Sequence, residues 1–258
     1  MSLYGISDLK RFRSWANRIE EITVESNTSL SAHYKNDGSL VTIVDEKVED
    51  FLAYSISENY PEHSILGEER GLRGQFVARG DDSSGLWIVD PIDGTEVYYS
   101  QLPTYANSIA LYHGEKCHYA AINLPGIGQR FEYWQGTVLV GNEPIEKVSI
   151  FHNNIMASSH YSKHFNIPES LKVRALGSIC FHGCSLLLGH CKAVLVNKAS
   201  IWDLAALKPM LKTNGFIIAD KSGEELRISM NPKSTSITSP FFITHESHFE
   251  EFLINLQI

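Results

Sequence analysis

The sequence predicts a mixed α/β protein, with an α+β half over residues 1–150 and an α/β half over residues 151–258 in one compact fold. Three observations carry this. Apolar side chains recur at helical spacing in two N-terminal stretches. Short apolar runs bounded by turn residues then follow one another with no helical stretch between them. Beyond residue 150 such runs alternate with helical segments.

Taken in order, residues 5–25 align Ile6, Leu9, Phe12, Trp15, Ile19 and Ile22, which predicts an amphipathic helix. A second helix is expected over "DEKVEDFLAYSISENY", residues 45–60. Val48, Phe51, Leu52, Ser55 and Ile56 share one side, acids occupy its first turn and Pro61 follows it. "HSILGEE", "GLWIVD", "ANSIALYH" and "CHYAAINLP" read as strands. In the second half "KVRAL", "KAVLVN" and "GFIIAD" read as strands, with helices expected at 178–190 and 202–213. No internal repeat, low-complexity tract or linker interrupts the pattern.

The 258 residues are 43% apolar and 20% charged, enough to bury a substantial core. A formal charge of −8 argues against nucleic acid or an anionic membrane as partner, since both favour a basic face. No apolar run approaches the ~20 residues that span a bilayer, and no leader pattern opens the chain. Four unevenly placed cysteines suggest reduced thiols and a cytoplasmic location rather than a disulfide framework. Three of them fall in "CFHGCSLLLGHC". The spacing of Cys180, His182, Cys184, His190 and Cys191 fits no usual zinc arrangement well, and a buried helix with cysteines as small hydrophobes is the better reading.

Four places set acid where a strand hands over to a turn or helix: Asp45, Glu68–Glu69, Asp90 with Asp93, and Asp203. For Asp45 or Asp203 alone, helix capping is the better reading, and for Glu68–Glu69 alone a solvated loop. "WIVDPIDGT" is harder to explain so. Pro91 fixes one backbone angle and holds Asp90 extended, and no basic residue lies within residues 87–103. Two carboxylates and the Ile92 carbonyl make a hard-oxygen set suited to Mg²⁺. Gly94 and Thr95 offer backbone amides to an anion. Metal beside phosphate points to phosphoryl chemistry. A Walker loop and a Gly-x-Ser-x-Gly elbow are both missing, which disfavours a kinase, an ATPase and a serine hydrolase.

At these residues the chain resembles the inositol monophosphatase superfamily of Mg²⁺-dependent, lithium-sensitive phosphatases. "ILGEE", "WIVDPIDGT" and "SIWDLAALKPMLKTNGFIIAD" resemble its signatures. "KNDGSLVTIVDEKVE" resembles its upstream element and "LPTYANSIAL" the strand after the main signature, all in family order. The resemblance implies a layered αβαβα sandwich, usually dimeric, with two or three Mg²⁺ ions per site. Glu68, Asp90 and the Ile92 carbonyl would hold one ion; Asp90, Asp93 and Asp203 would hold the second, and a third would lie near Glu68. Thr95, hydrogen-bonded to Asp45, would orient and help deprotonate the attacking water. The Gly94 and Thr95 amides would grip the phosphate, and Glu69 would orient the groups around the metals.

Two departures bear on substrate. The family's Asn and Gly after Asp-Gly-Thr are replaced within "EVYYSQLP". The Glu that inositol-specific members place about seven residues before the Trp-Asp aspartate falls at Val196 or Asn197 here. The Lys35-x-Asp37-x-Ser39 element looks more like the nucleotidase and histidinol-phosphatase branches. The reading is a phosphomonoesterase acting on a small phosphorylated metabolite. The alternatives are a histidinol-phosphatase or a 3′(2′),5′-bisphosphate nucleotidase and, from another class, a non-catalytic metal- and phosphate-binding regulator.

Overall fold

The chain is seen in a computed structural model that describes residues 3–26, 31–36, 38–74, 84–145 and 153–255. Asp37 of the upstream element lies outside the described residues. Helix α1 (Ile6–Glu25) buries Leu9, Phe12, Trp15 and Ile19, while Ile6 stays exposed ahead of the stripe. A hairpin of β1 (Ala32–Tyr34) and β2 (Leu40–Thr42) leads into α2 (Ile43–Asn59). This helix starts two residues before the expected Asp45. The Thr42 hydroxyl accepts from the Val44 amide, and Asp45 reaches back to the Thr42 amide at 2.8 Å. That reciprocal pair fixes the helix start.

The larger sheet contains β3 (Ser64–Gly67), β4 (Gly71–Arg73), β5 (Leu86–Asp93), β6 (Ala106–His113), β7 (Lys116–Leu124), β8 (Gln129–Trp134), β9 (Thr137–Val140) and β10 (Glu143–Pro144). Its spatial order is β10-β9-β8-β7-β6-β5-β3-β4, with β3 and β5 parallel and the other pairs antiparallel. A single helical turn, α3 (Thr95–Tyr99), follows β5. Every residue of β5 and β6 is buried, so both faces of the sheet are covered there. Trp87, Val89, Ile109, Leu111 and Tyr119 pack under α1 and α2. The alternate residues Leu86, Ile88, Ala110, Tyr112 and Ile122 face a middle layer of α4 (Ile179–Leu187), α5 (Ile201–Ala205) and α6 (Leu207–Thr213).

The second sheet joins β11 (Asn154–Ala157), β12 (Lys172–Arg174), β13 (Ala193–Val196), β15 (Phe216–Asp220) and β17 (Phe241–His245) in the order β12-β11-β13-β17-β15. A short ribbon of β14 (Ala199–Ser200) and β16 (Ser236–Ile237) lies apart from it. Met156, Val194, Phe241 and Ile243 share the core of the middle helices. On the opposite face Ile155, Leu195 and Phe242 pack with Phe252 of α7 (Phe249–Asn255). The layers therefore run helix, sheet, helix, sheet, helix. One core draws on both halves of the sequence.

Two helix expectations need correcting. The helix expected to run to 190 ends at Leu187, because Gly189 takes a left-handed backbone (φ 75°) that stops it. The helix expected over 202–213 is two helices meeting at Ala206. Pro209 has no N–H to give the Ala205 carbonyl, which instead accepts from the Tyr112 hydroxyl at 2.8 Å.

Candidate active site

The parallel pairing of β3 and β5 sets Gly67 opposite Val89, so their carboxyl ends carry Glu68 and Asp90 side by side. Beyond Asp90 the expected stiff turn is a bulged strand. Asp90 lies opposite Ser108 and Asp93 opposite Ala106, so β5 fits one extra residue into the interval. In a regular strand residues three apart point to opposite faces; the extra residue reverses that for Asp93. Pro91 sits inside the bulge, where no ladder N–H is needed, and its carbonyl accepts from Asn107 Nδ2 at 2.6 Å.

Asp203 arrives from the first turn of α5. Asp90, Asp93 and Asp203 each offer an oxygen, and these oxygens all lie within 4.8 Å of one another. Asp90 is 1% exposed, and its Oδ1 has no hydrogen-bond partner. Burial pushes its carboxyl well above the usual range, and Glu68, Asp93, Asp203 and Asp45 push it the same way. Asp93 is held at the start of α4, accepting from Ser178 Oγ (2.8 Å), the Cys180 amide (2.5 Å) and the Ile179 amide (3.3 Å). Burial raises its pKa while those donors lower it. Asp203 also caps its own helix, accepting from the Ser200 amide at 2.7 Å. Capping and membership of the cluster thus coexist in one side chain.

Glu68 does not join the three aspartates. Lys35 Nζ reaches it at 3.0 Å and Glu69 at 2.6 Å. Burial, against the pull of Lys35, sets the Glu69 pKa at about 7. The loop is fixed from below by Glu49, a fully buried carboxylate that accepts from the Glu69 and Arg70 amides, each at 3.0 Å, and from Arg73. A Cβ at Gly67 would come within 2.2 Å of the Glu49 carboxylate, so any larger residue would displace Glu49 from this seat.

The fold and this geometry have counterparts among known proteins. A family model described as the inositol monophosphatase family matches residues 11–253. The chain belongs to that family. The chloroplastic bifunctional phosphatase IMPL2 of Arabidopsis thaliana is 25% identical, over 80% of this chain and 61% of its own length. Human inositol monophosphatase 1 is 28% identical over 79% of this chain and 78% of its own. Among solved structures, a lithium-soaked inhibitory complex of Staphylococcal inositol monophosphatase-1 superposes with a TM-score of 0.80 at 18% identity, covering 98% and 96% of the two chains. Members of this family are phosphomonoesterases, and the αβαβα layering described above is its fold.

Within this inositol monophosphatase frame one expected contact is not made. The Thr95 hydroxyl donates to the Ile92 carbonyl at 3.0 Å, and Asp45 Oδ2 takes the Thr42 hydroxyl (2.6 Å) and amide. Thr42, a cap that the sequence reading passed over, thus takes the place expected for Thr95. Burial still raises Asp45 to about 6. Gly94, at the turn from β5 into α3, has φ 91°, and a Cβ there would press on Val97 and Ser178.

Beside Asp93 and Ser178 opens a cavity of about 470 Å³ whose wall includes Lys163, Lys198, His182 and Asn197. Asn197 reads in sequence as a missing acid and His182 as part of a zinc-like spacing; Lys163 and Lys198 carry no local signal, because they lie 35 residues apart. The cysteine-rich segment is the buried helix expected. Burial holds the Cys180, Cys184 and Cys191 thiols above their ordinary range, and none belongs to a metal-type cluster among the described residues.

Proposed function

We propose that this phosphatase-family chain is a Mg²⁺-dependent phosphomonoesterase that hydrolyses a small phosphorylated metabolite. The observation that carries the reading is Asp90: a buried carboxylate with an unpartnered oxygen, beside two further aspartates. Burying that much negative charge without a counter-ion is costly. An all-oxygen donor set suits Mg²⁺ rather than zinc or copper.

Asp90, Asp93 and Asp203 would hold one ion, and Asp90, Glu68 and the Ile92 carbonyl another. Glu68 would take its place there in exchange for its Lys35 contact, and a third ion would lie near Glu68. Bound Mg²⁺ supplies charge neutralisation for the phosphate and acidifies water. The chain's own residues do the rest. The Gly94 and Thr95 amides hold the phosphate. The Thr95 hydroxyl, whose proton is given to Ile92, keeps its lone pairs for a water. Asp45, anchored by Thr42 and raised toward neutrality, is a proton acceptor near the same place. Glu69 shares Lys35 with Glu68 and so sets where that lysine rests. Cytoplasmic location and a homodimer fit the family reading. Among the described residues no helix is long and apolar enough to cross a membrane.

The test is phosphate release from small phosphomonoesters in millimolar Mg²⁺, with and without EDTA and Li⁺. The expected result is Mg²⁺-dependent turnover that EDTA abolishes and Li⁺ inhibits. Turnover unaffected by exhaustive chelation overturns the metal mechanism.

A further inference from the structure

The cavity beside Asp93 differs in character from the rest of this acidic protein. Its wall carries two lysines, Lys163 and Lys198, and three imidazoles, His160, His164 and His182. Asp93 is the sole carboxylate in that wall, and the start of α4 already occupies it. Among the described residues the lysines that form ion pairs are Lys35, Lys192 and Lys208, so Lys163 and Lys198 point their charge at no carboxylate. In a chain of net charge −8, two unpaired cations in one concavity are not explained by the average surface.

His182 adds a second, independent observation. The residue is 1% exposed, and its Nε2 accepts the Leu176 amide at 3.0 Å. An Nε2 that accepts leaves the ring proton on Nδ1. That Nδ1–H is buried and has no partner in the protein. An unmet buried donor is costly, and a ligand oxygen that reaches it from the cavity would remove that cost.

We propose that the cavity walled by Lys163, Lys198 and His182 receives a second anionic group on the leaving-group side of the substrate. The preferred substrates then carry two anions, one at the aspartate cluster and one in this cavity. This deepens the phosphatase reading and rests on it. A phosphate and a carboxylate share the chemistry that two lysines and a neutral N–H donor recognise. Replacement of the family's polyol-binding acid by Val196 or Asn197 agrees with this, because a carboxylate there would repel such a group.

The experiment compares kcat/KM for four substrates in Mg²⁺: phenyl phosphate, 1,3-propanediol bisphosphate, 3-phosphoglycerate and phosphocholine. The bisphosphate and the phosphoglycerate are expected to exceed phenyl phosphate at least tenfold, with phosphocholine poorest. Which of the two leads tells phosphate from carboxylate. The exposed substitutions K163A and K198A, and the charge reversal K198E, are expected to raise KM for the two-anion substrates tenfold or more. They should leave kcat, and turnover of phenyl phosphate, within twofold. Calorimetry with 1,3-propanediphosphonate reads the cavity without turnover, and its affinity should fall in the same variants. A protein that hydrolyses phenyl phosphate but gains nothing from a second anion overturns this inference alone. One that hydrolyses nothing overturns the phosphatase reading, and the calorimetry still decides the cavity.

Discussion

Two buried polar clusters occupy opposite ends of the same strand pair, and they are built on opposite principles. At the amino ends of β3 and β5, His63 Nδ1 accepts from Trp87 Nε1 at 3.1 Å, and the Tyr4 hydroxyl reaches His63 and His113 at 3.2 and 2.6 Å. Tyr60 stacks on His63, and Phe12 and Trp15 close the aromatic wall. At the carboxyl ends, 3 residues beyond Trp87, lies Asp90 with its unpartnered oxygen. The first cluster pairs its rings with one another, with the Glu62 carboxylate 3.4 Å from His63 Nε2 at its edge, and so it is structure. The second gathers like charges and leaves Asp90 Oδ1 without a partner, which is a state that a ligand completes.

The sharpest way to break this contrast is Asp90→Asn. At the aspartate cluster it removes a buried charge, so the metal-free protein should fold as well as the wild type or better. Turnover should fall by several kcal/mol in barrier, on the order of a thousandfold or more. Paired Mg²⁺ titrations of thermal unfolding and of kcat check both halves. Wild type should gain about 2.7 kcal/mol at a hundred times the metal dissociation constant, and the variant much less. A variant with wild-type turnover means that the cluster is not the reaction centre.

Gly67→Ala tests whether the loop under the cluster is a fixed platform. The new Cβ meets the Glu49 carboxylate at 2.2 Å. Glu49 must then move and release the Glu69 and Arg70 amides that it holds. Overpacking of this kind costs about 1–3 kcal/mol. Activity should fall roughly tenfold to a hundredfold, as for a lost metal-orienting contact. Equal loss of stability with unchanged kcat/KM would leave Glu49 a purely structural residue.

How much of this was legible in the sequence follows the range of the interactions. The strands at 106–113 and 117–125, the first helix and the Asp90–Asp93 pair were legible, because each is local pattern or local motif; Asp203, a cap by local reading, joined them only through the resemblance. What escaped needed partners far along the chain. Nothing near Glu49 announces that it will seat under Gly67, 18 residues on. Asp93 reads as part of a turn until Ser178, 85 residues away, is seen to hold it. The division of the helix at Ala206 was visible in Pro209 and was overridden by the apolar period around it. The Thr95–Asp45 contact came with the resemblance, and here the local capping by Thr42 wins it.

Ser178→Ala is a milder probe of the same kind. Ser178 Oγ accepts from the Phe181 amide at 2.9 Å and donates to Asp93. Losing the cap costs about 1 kcal/mol, and removing one of the two donors on Asp93 Oδ2 should weaken Mg²⁺ binding about tenfold or more. Calorimetric metal affinity separates the two effects; a drop in stability with no change in affinity would confine Ser178 to capping.

The smallest effect, and the one that sets the two ends against each other directly, is the pH dependence of metal-free stability. Burial lowers His63 to about 4 from an unfolded value near 6.5. The unfolded chain therefore binds the proton first, and stability present above about pH 6.5 is lost as pH falls toward 4. At the carboxyl end the sign reverses. Asp45 is raised to about 6 and Glu69 to about 7, with Asp90 and Asp203 raised by burial as well. Groups raised in the folded state contribute stability at low pH that disappears as pH rises through those values. Both windows span about pH 4 to 7 and the raised carboxylates outnumber the one imidazole, so thermal stability in EDTA should fall as pH rises from about 4 to 7. Asp90→Asn should lessen that fall and His63→Gln should steepen it, and Mg²⁺, which binds deprotonated carboxylates, should stabilise more as pH rises. If Mg²⁺ stabilises equally across the range, the carboxyl end is not where the metal binds.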